Sequence, residues 1–452
     1  MSPDAPPTRR LDRHKRILVL AVPAMATLVA DPLLGFVDTA VVGRVGTSEL
    51  GALGLAVAVL TALSWIFNFL VYGTTAAVAR AAGAGDDRGA GRRVAHAAQF
   101  AVALGLAAGL VIFVAARPLL EVVGAVPELI EPAASYMRIR AFGVPFFLLA
   151  FVGHGAFRGV ADTRTPLVVV AVANVLNAGL TILLVLRWGW GLDGAAWATV
   201  VAEVTAVLLF ALLLRRVGLP LTGHGRPSRD ELGVLVRVSR DLFIRTGGLV
   251  FGLLVVHTAA ARISAVTAAA HQVLWQVWII VSFFMDGFAI AAQAMVGNAL
   301  GAGRPAIARE TARDLLLWGV GGGAVVAGIL LAVAGPLPRV LTDEGEVLAV
   351  VAVVWWLAAG GHVLNGSVFV LDGVLMGAGD FAYLRTWTVI AAAVAGVGAQ
   401  LVTMTDLTGG RALLWLWVAL EAMMVVRFVS LVWRLRGDQW NRVGERLPAE
   451  AV

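Results

Sequence analysis

Apolar residues in this chain gather into long runs, separated by short stretches where Arg, Asp, Gly and Pro collect. A helix rises about 1.5 Å per residue, so roughly 20 apolar residues cross the hydrocarbon layer of a bilayer. Runs of that length recur near 17–42, 52–78, 94–116, 136–157, 166–186 and 193–214. A second set follows near 241–261, 273–295, 312–334, 347–370, 383–402 and 411–433. The pattern predicts an all-α integral membrane protein with twelve transmembrane helices in two six-helix halves. The longest polar interval, 215–240, is rich in Arg and Gly, carries Pro220 and Pro227, and reads as a linker. The expected organisation is a tail at 1–16, a first half at 17–214, the linker at 215–240, a second half at 241–434 and a tail at 435–452.

Composition agrees. Apolar residues make up 60% of the chain and charged residues 14%, where a soluble domain carries about a quarter charged. The excess apolar surface has to face lipid. Without cysteine there is no disulfide and no thiolate metal site. The first apolar run is too long for a signal-peptide core and reads as the first membrane helix. Lys15 is the only lysine in a chain rich in Ala, Gly, Val and Arg, a composition that suggests a GC-rich bacterial genome.

A net charge of +6 invites a nucleic-acid reading, but the charges sort by loop. With the N-terminus inside, 25 of the 35 Lys and Arg residues fall on cytoplasmic segments and eight on outside segments, Arg138 and Arg140 among the latter. That bias fits the positive-inside rule with both termini cytoplasmic. The two sets of helices also repeat each other. Shifted by 218 positions, Val78–Gly85 falls on Val296–Gly303 with five of eight residues identical, and Ala141–Asp162 falls on Ala359–Asp380 with seven of 22 identical. Six spans per half give both copies the same orientation, a parallel repeat of the kind found in transporters, with the substrate path between the halves.

An ionisable side chain at bilayer depth is costly and needs a reason. The first helix holds two, Asp31 and Asp38, seven apart and hence on one face. Pro23 and Pro32 in the same helix each remove a backbone hydrogen bond and invite a bend. Asn174, Asn177 and Thr181 share a face of the fifth helix, and Thr199 and Glu203 lie four apart in the sixth. Such groups either hydrogen-bond a carboxylate and adjust its proton affinity or serve as polar glue between helices. In the second half Asp286 and Asp372 lie mid-run, with His257, His271, Gln272 and Gln293 near them in sequence. The two acids serve a second cation path or pair with Arg245. No His pair has metal-site spacing, so no metal is expected. The Gly83–Gly85 and Gly301–Gly303 segments lack the Lys-Ser/Thr of a phosphate loop and read as helix-ending turns, which excludes direct ATP drive.

At these residues the chain resembles the multidrug and toxic compound extrusion (MATE) family. The resemblance rests on Pro32-Leu-Leu-Gly-Phe-Val-Asp38-Thr-Ala-Val-Val-Gly43, the paired Gly-Ala-Gly segments, Phe157-Arg-Gly-Val-Ala-Asp162-Thr-Arg-Thr-Pro166 and Gly194-Ala-Ala-Trp-Ala-Thr199. Met285-Asp286-Gly-Phe-Ala and Leu371-Asp372-Gly are similar to the branch named for DNA-damage induction. The resemblance implies antiport of organic, often cationic or amphipathic, compounds against protons or sodium. It implies a cation site at Asp38, Asn177, Thr181 and Thr199. The family often carries an acid where this chain has Thr181, and Asp31, on the face of Asp38, is expected on the spacing of this chain alone to take that acid's place. No acid occurs in 242–262, where sodium-coupled relatives carry a Glu, which favours protons.

The expectation is therefore a proton-coupled exporter of small organic molecules, working as a monomer in the bacterial inner membrane, with lipid as its surroundings and no cofactor or nucleic-acid partner. Asn174, Glu203, Asp286, Asp372, His257 and Gln293 are expected to line the substrate cavity or a second polar site. Sodium coupling and a flippase for lipid-linked or amphipathic compounds are the alternatives. A membrane transferase would need a carboxylate-rich Mg²⁺ motif or a nucleophile–base pair, and neither is present.

Overall fold

The structure is a computed structural model that describes residues 10–219, 225 and 227–444, with the backbone alone at 31–34. Among the described residues it contains fourteen α-helices. In the first half these are α1 (Arg10–Val42), α2 (Thr47–Ile66), α3 (Phe69–Gly83), α4 (Asp87–Val122), α5 (Pro127–Gly159), α6 (Arg164–Thr181) and α7 (Gly191–Arg216). In the second they are α8 (Arg229–Ile263), α9 (Ala265–Gly301), α10 (Pro305–Ala332), α11 (Pro336–Leu341), α12 (Gly345–Ala378), α13 (Phe381–Thr403) and α14 (Gly409–Arg436). Twelve segments among the described residues are long and apolar enough to cross a membrane, with α2 and α3 forming one, α6 and a π-helical turn at Ile182–Arg187 another, and α11 too short to count.

The internal repeat extends through the whole architecture. Each spanning segment of the second half begins within one residue of 218 positions after its counterpart: Thr47 and Ala265, Asp87 and Pro305, Pro127 and Gly345, Gly191 and Gly409. One difference stands out. The first-half segment breaks at Phe67 and Asn68 between α2 and α3, whereas α9 runs unbroken. The Gly-Ala-Gly segments are helix-ending turns in both halves, with Gly85 and Gly303 at φ 75 and 69, left-handed backbone that favours glycine.

Side-chain size decides which face of a helix turns inward. On α4, Leu106, Leu110 and Val114 are exposed, while Ala101, Gly105, Gly109 and Ala116 are buried. Large apolar groups facing out suit a lipid surround, and small ones facing in let backbones approach, the usual packing of membrane helices. Gly105 lies against Pro145 and Gly109 against the Ala141 carbonyl, so a methyl group at either would force α4 and α5 apart.

The described residues form two compact units, one within 26–239 and the other made of 10–25 and 240–444. The boundaries fall inside α1 and α8, so each of these helices is divided between units. In the second unit the start of α1 is held on α10, with Arg13 pairing Asp314 at 2.8 Å and Glu310 at 2.9 Å. In the first unit the start of α8 meets α4, with Glu231 3.7 Å from Arg92 and 3.8 Å from His96. Helix thus occupies the part of 215–240 from Arg229 onward and the end of the 1–16 tail from Arg10 onward.

Candidate functional site

The first unit gathers polar side chains from α1, α5, α6 and α7 around Asp38. α6 carries Asn177 and Thr181 one turn apart, both fully buried. The Thr181 hydroxyl lies 3.0 Å from Asp38 Oδ1 and 3.2 Å from Asn177 Oδ1. Asn177 Nδ2 donates to Thr199 Oγ1 at 3.0 Å, and Thr199 donates to the Ala195 carbonyl at 3.0 Å. A hydroxyl has one hydrogen, so Thr181 serves either Asp38 or Asn177 at any moment. Four residues singled out from the sequence are therefore joined end to end by hydrogen bonds.

Beside this chain lies a pair that hydropathy hides. Arg140 is set within α5, where its Nη1 and Nη2 bind Glu203 of α7 at 2.9 and 2.7 Å in a two-point pair. Both are mostly buried, with side chains 17% and 13% exposed. Gly143 makes the room, since a Cβ there would strike Glu203 Oε2. Tyr136, buried one turn before Arg140, lies close to Thr199 as well as to Arg140 and so stands between the pair and the Asp38 chain. Asn174 is turned elsewhere and donates to the Ala30 carbonyl at 3.1 Å. The side chain of Asp31 lies outside the described residues.

In the second unit the remaining candidates form separate groups. Asp372 pairs with Arg245 and, at 3.3 Å, with Arg427, all three buried. Asp286 lies within electrostatic range of Arg427. His257 holds the Leu253 carbonyl at 2.8 Å through Nδ1 and stacks edge-on against His271 and Trp275. Trp417 donates to His271 Nδ1 at 3.2 Å. Gln293 is buried on α9, where Gly377 of α12 packs against its backbone. No group of His, Asp or Glu able to hold a metal ion occurs among the described residues.

Twelve membrane-length segments in two sequence repeats, with a half-buried carboxylate wired to amide and hydroxyl groups, are the parts of a membrane transporter, and the known proteins similar to this chain are transporters and not enzymes. The family profile described as MatE matches residues 23–183 and 248–401, and the chain belongs to this family of multidrug and toxic compound extrusion transporters. It is 32% identical over 450 residues to Protein DETOXIFICATION 44, chloroplastic, of Arabidopsis thaliana, covering 94% of this chain and 83% of that protein. It is 29% identical to DNA damage-inducible protein F of Escherichia coli (strain K12) over 442 residues, covering 93% and 92%. Multidrug resistance protein PmpM of Pseudomonas aeruginosa is 27% identical over 349 residues, covering 75% and 73%. Among solved structures, a MATE in the bent conformation superposes with a TM-score of 0.86 at 22% identity, covering 94% of this chain and 95% of that one.

Proposed function

We propose that this transporter exports small organic compounds, cationic or amphipathic, in exchange for protons, and that Asp38 carries the proton. The observation that carries this reading is the single Thr181 hydrogen set between Asp38 and Asn177. With Asp38 ionised, the hydroxyl donates to the carboxylate. With Asp38 protonated, the acid O–H donates to Thr181 Oγ1 and the Thr181 hydrogen turns to Asn177. Loading a proton thus reverses the polarity of that link and changes which packing of α1 against α6 is favoured.

α1 is suited to respond, since Pro23 and Pro32 flank the point where it passes from one unit to the other. Relatives named for detoxification and multidrug resistance support an organic substrate. Solved structures of this fold in conformations described as bent and as straight support a cycle of alternating access. The charge bias of the loops supports insertion in a bacterial inner membrane with both termini cytoplasmic.

The test is substrate-triggered proton movement in inverted membrane vesicles carrying the wild type or Asp38→Asn. A preformed pH gradient is challenged with a panel of cationic dyes, with and without sodium. Dissipation by the wild type alone, independent of sodium, is the expected result. A response that requires sodium, or one that persists in the variant, overturns the reading.

A further inference from the structure

Glu421 on α14 sits 218 positions after Glu203, and the two carboxylates occupy equivalent places. A Cβ added at Gly143 would strike Glu203, and one added at Gly361, the repeat counterpart of Gly143, would strike Glu421. Their partners differ. Glu203 is neutralised by Arg140, but the position that repeats Arg140 is Ala358, 7% exposed and without charge. No ion pair to Glu421 is found among the described residues, whereas Arg245 and Arg427 are both taken by Asp372.

What faces Glu421 is an amide. Asn365 of α12, one turn past Gly361, lies at its carboxylate. Asn365 is 1% exposed, and neither its Oδ1 nor its Nδ2 has a hydrogen-bond partner of normal geometry. The other titratable groups near this level are His362 on α12, itself buried, and His271 on α9, held by Trp417 one turn before Glu421. On α13, Gly398 packs against Ala419, two residues before Glu421. On α14 the nearest cation, Arg427, belongs to Asp372.

Glu421 is half-buried, and a carboxylate in a membrane helix without a counter-cation is costly. An ionised one also satisfies only half of a primary amide, since it accepts from Nδ2 and repels Oδ1. A carboxylic acid satisfies both atoms. Its O–H donates to Asn365 Oδ1 while its carbonyl oxygen accepts from Nδ2, closing a ring of two hydrogen bonds.

We propose that Glu421 and Asn365 form a second proton-binding site, in the second half of the transporter and separate from Asp38. It takes the antiporter reading as its frame. Every polar member of the Asp38 chain has an apolar counterpart 218 positions on: Val256 for Asp38, Ala395 for Asn177, Ala399 for Thr181 and Trp417 for Thr199. The second half thus carries no counterpart of the Asp38 chain, and Ala358 in the place of Arg140 leaves its carboxylate without a guanidinium.

The experiment is pH-difference infrared spectroscopy of the purified full-length protein in lipid, reading the carbonyl stretch of protonated carboxyl groups. Carboxyl-¹³C-glutamate labelling of the wild type should move one component of that band and leave another. Glu421→Gln should remove the moved component, Asp38→Asn the unmoved one, and the double variant both. Ala358→Arg, which supplies the missing guanidinium, should remove the glutamate component as Glu421→Gln does. A band that ignores the label, or a glutamate component that survives Glu421→Gln, overturns the second site. A glutamate component displaced by sodium at fixed pH overturns its assignment to a proton. Loss of the glutamate component in Glu421→Gln with no effect of Asp38→Asn would support the second site and sink the reading of Asp38.

Discussion

The hydroxyl of Thr181 lies 3.0 Å from the carboxylate of Asp38, 143 positions earlier in the chain, and bridges it to Asn177. Replacing Thr181 by Val keeps the shape and removes that link. A hydrogen bond to a charged group contributes about 1.5–3 kcal/mol, and about 1.4 kcal/mol is tenfold in an equilibrium. Thr181→Val should therefore lower proton-coupled dye efflux at least tenfold in inverted vesicles, with Thr181→Ser close to wild type. Full activity in Thr181→Val would mean that Asp38 works without the chain behind it.

Arg140 and Glu203 form a two-point pair with little solvent around it. Breaking one side leaves an uncompensated buried charge, which costs about 3–5 kcal/mol, whereas replacing both with apolar groups of similar volume is often neutral. Arg140→Met should lower the unfolding temperature of the protein in lipid far more than Arg140→Met with Glu203→Met. A double variant no better than the single would show that the pair is needed for more than its own neutrality.

How far the sequence reveals this arrangement depends on contrast. Asn177, Thr181 and Thr199 stand out because polar groups are rare in apolar helices, and the one-turn spacing of Asn177 and Thr181 on α6 survives into the structure, where α7 brings Thr199 to Asn177. Arg140 does not stand out. With Arg138 and Glu131 close by it resembles a loop residue, yet α5 starts at Pro127 and carries Arg140 inward to Glu203. Glu421 has no polar neighbour at helical spacing on its own helix, and only the 218-residue shift reveals its kinship with Glu203. The break between α2 and α3 falls at Phe67 and Asn68, where neither Pro nor Gly announces it.

Asp372 and Asp38 look alike in sequence, each an acid in an apolar run, but their surroundings separate them. Asp372 pairs with two buried guanidiniums, Arg245 and Arg427. Asp372→Asn should remove the carboxylate they share, leaving Asp286 as the acid near Arg427, and reduce the yield of folded protein recovered from membranes several-fold. Asp38→Asn should leave yield unchanged while blocking efflux. Normal yield of Asp372→Asn would move Asp372 out of a structural role.

Ala161 adopts a left-handed backbone at φ 58, at the position where the second half has Gly379 at φ 76. Left-handed backbone costs a non-glycine residue about 1–2 kcal/mol, and glycine returns part of that through its freer unfolded chain. Ala161→Gly should stabilise the protein by about 0.5–1 kcal/mol. A rise in unfolding temperature with unchanged efflux checks it, and a fall would show that the turn after α5 tolerates the alanine without strain.

Arg13 and Glu231 are repeat counterparts with opposite charges, and so are the residues they meet. Arg13 binds Glu310 and Asp314 on α10, while Glu231 faces Arg92 and His96 on α4. The geometry repeats, but the burial of the α1 and α8 side chains does not. Arg13 is 6% exposed against 41% for Glu231, while their partners match: 7% for Asp314 and 5% for His96, 52% for Glu310 and 48% for Arg92. Losing one partner of a buried pair costs about 3–5 kcal/mol, and an exposed pair contributes about 0–1 kcal/mol. Arg13→Ala should therefore lower the unfolding temperature in lipid markedly, and Glu231→Ala should leave it nearly unchanged. Raising the salt concentration should narrow only the small effect at Glu231, since screening acts on solvated charges. Equal losses at the two positions would mean that the helix starts, and not their burial, set the strength of these contacts.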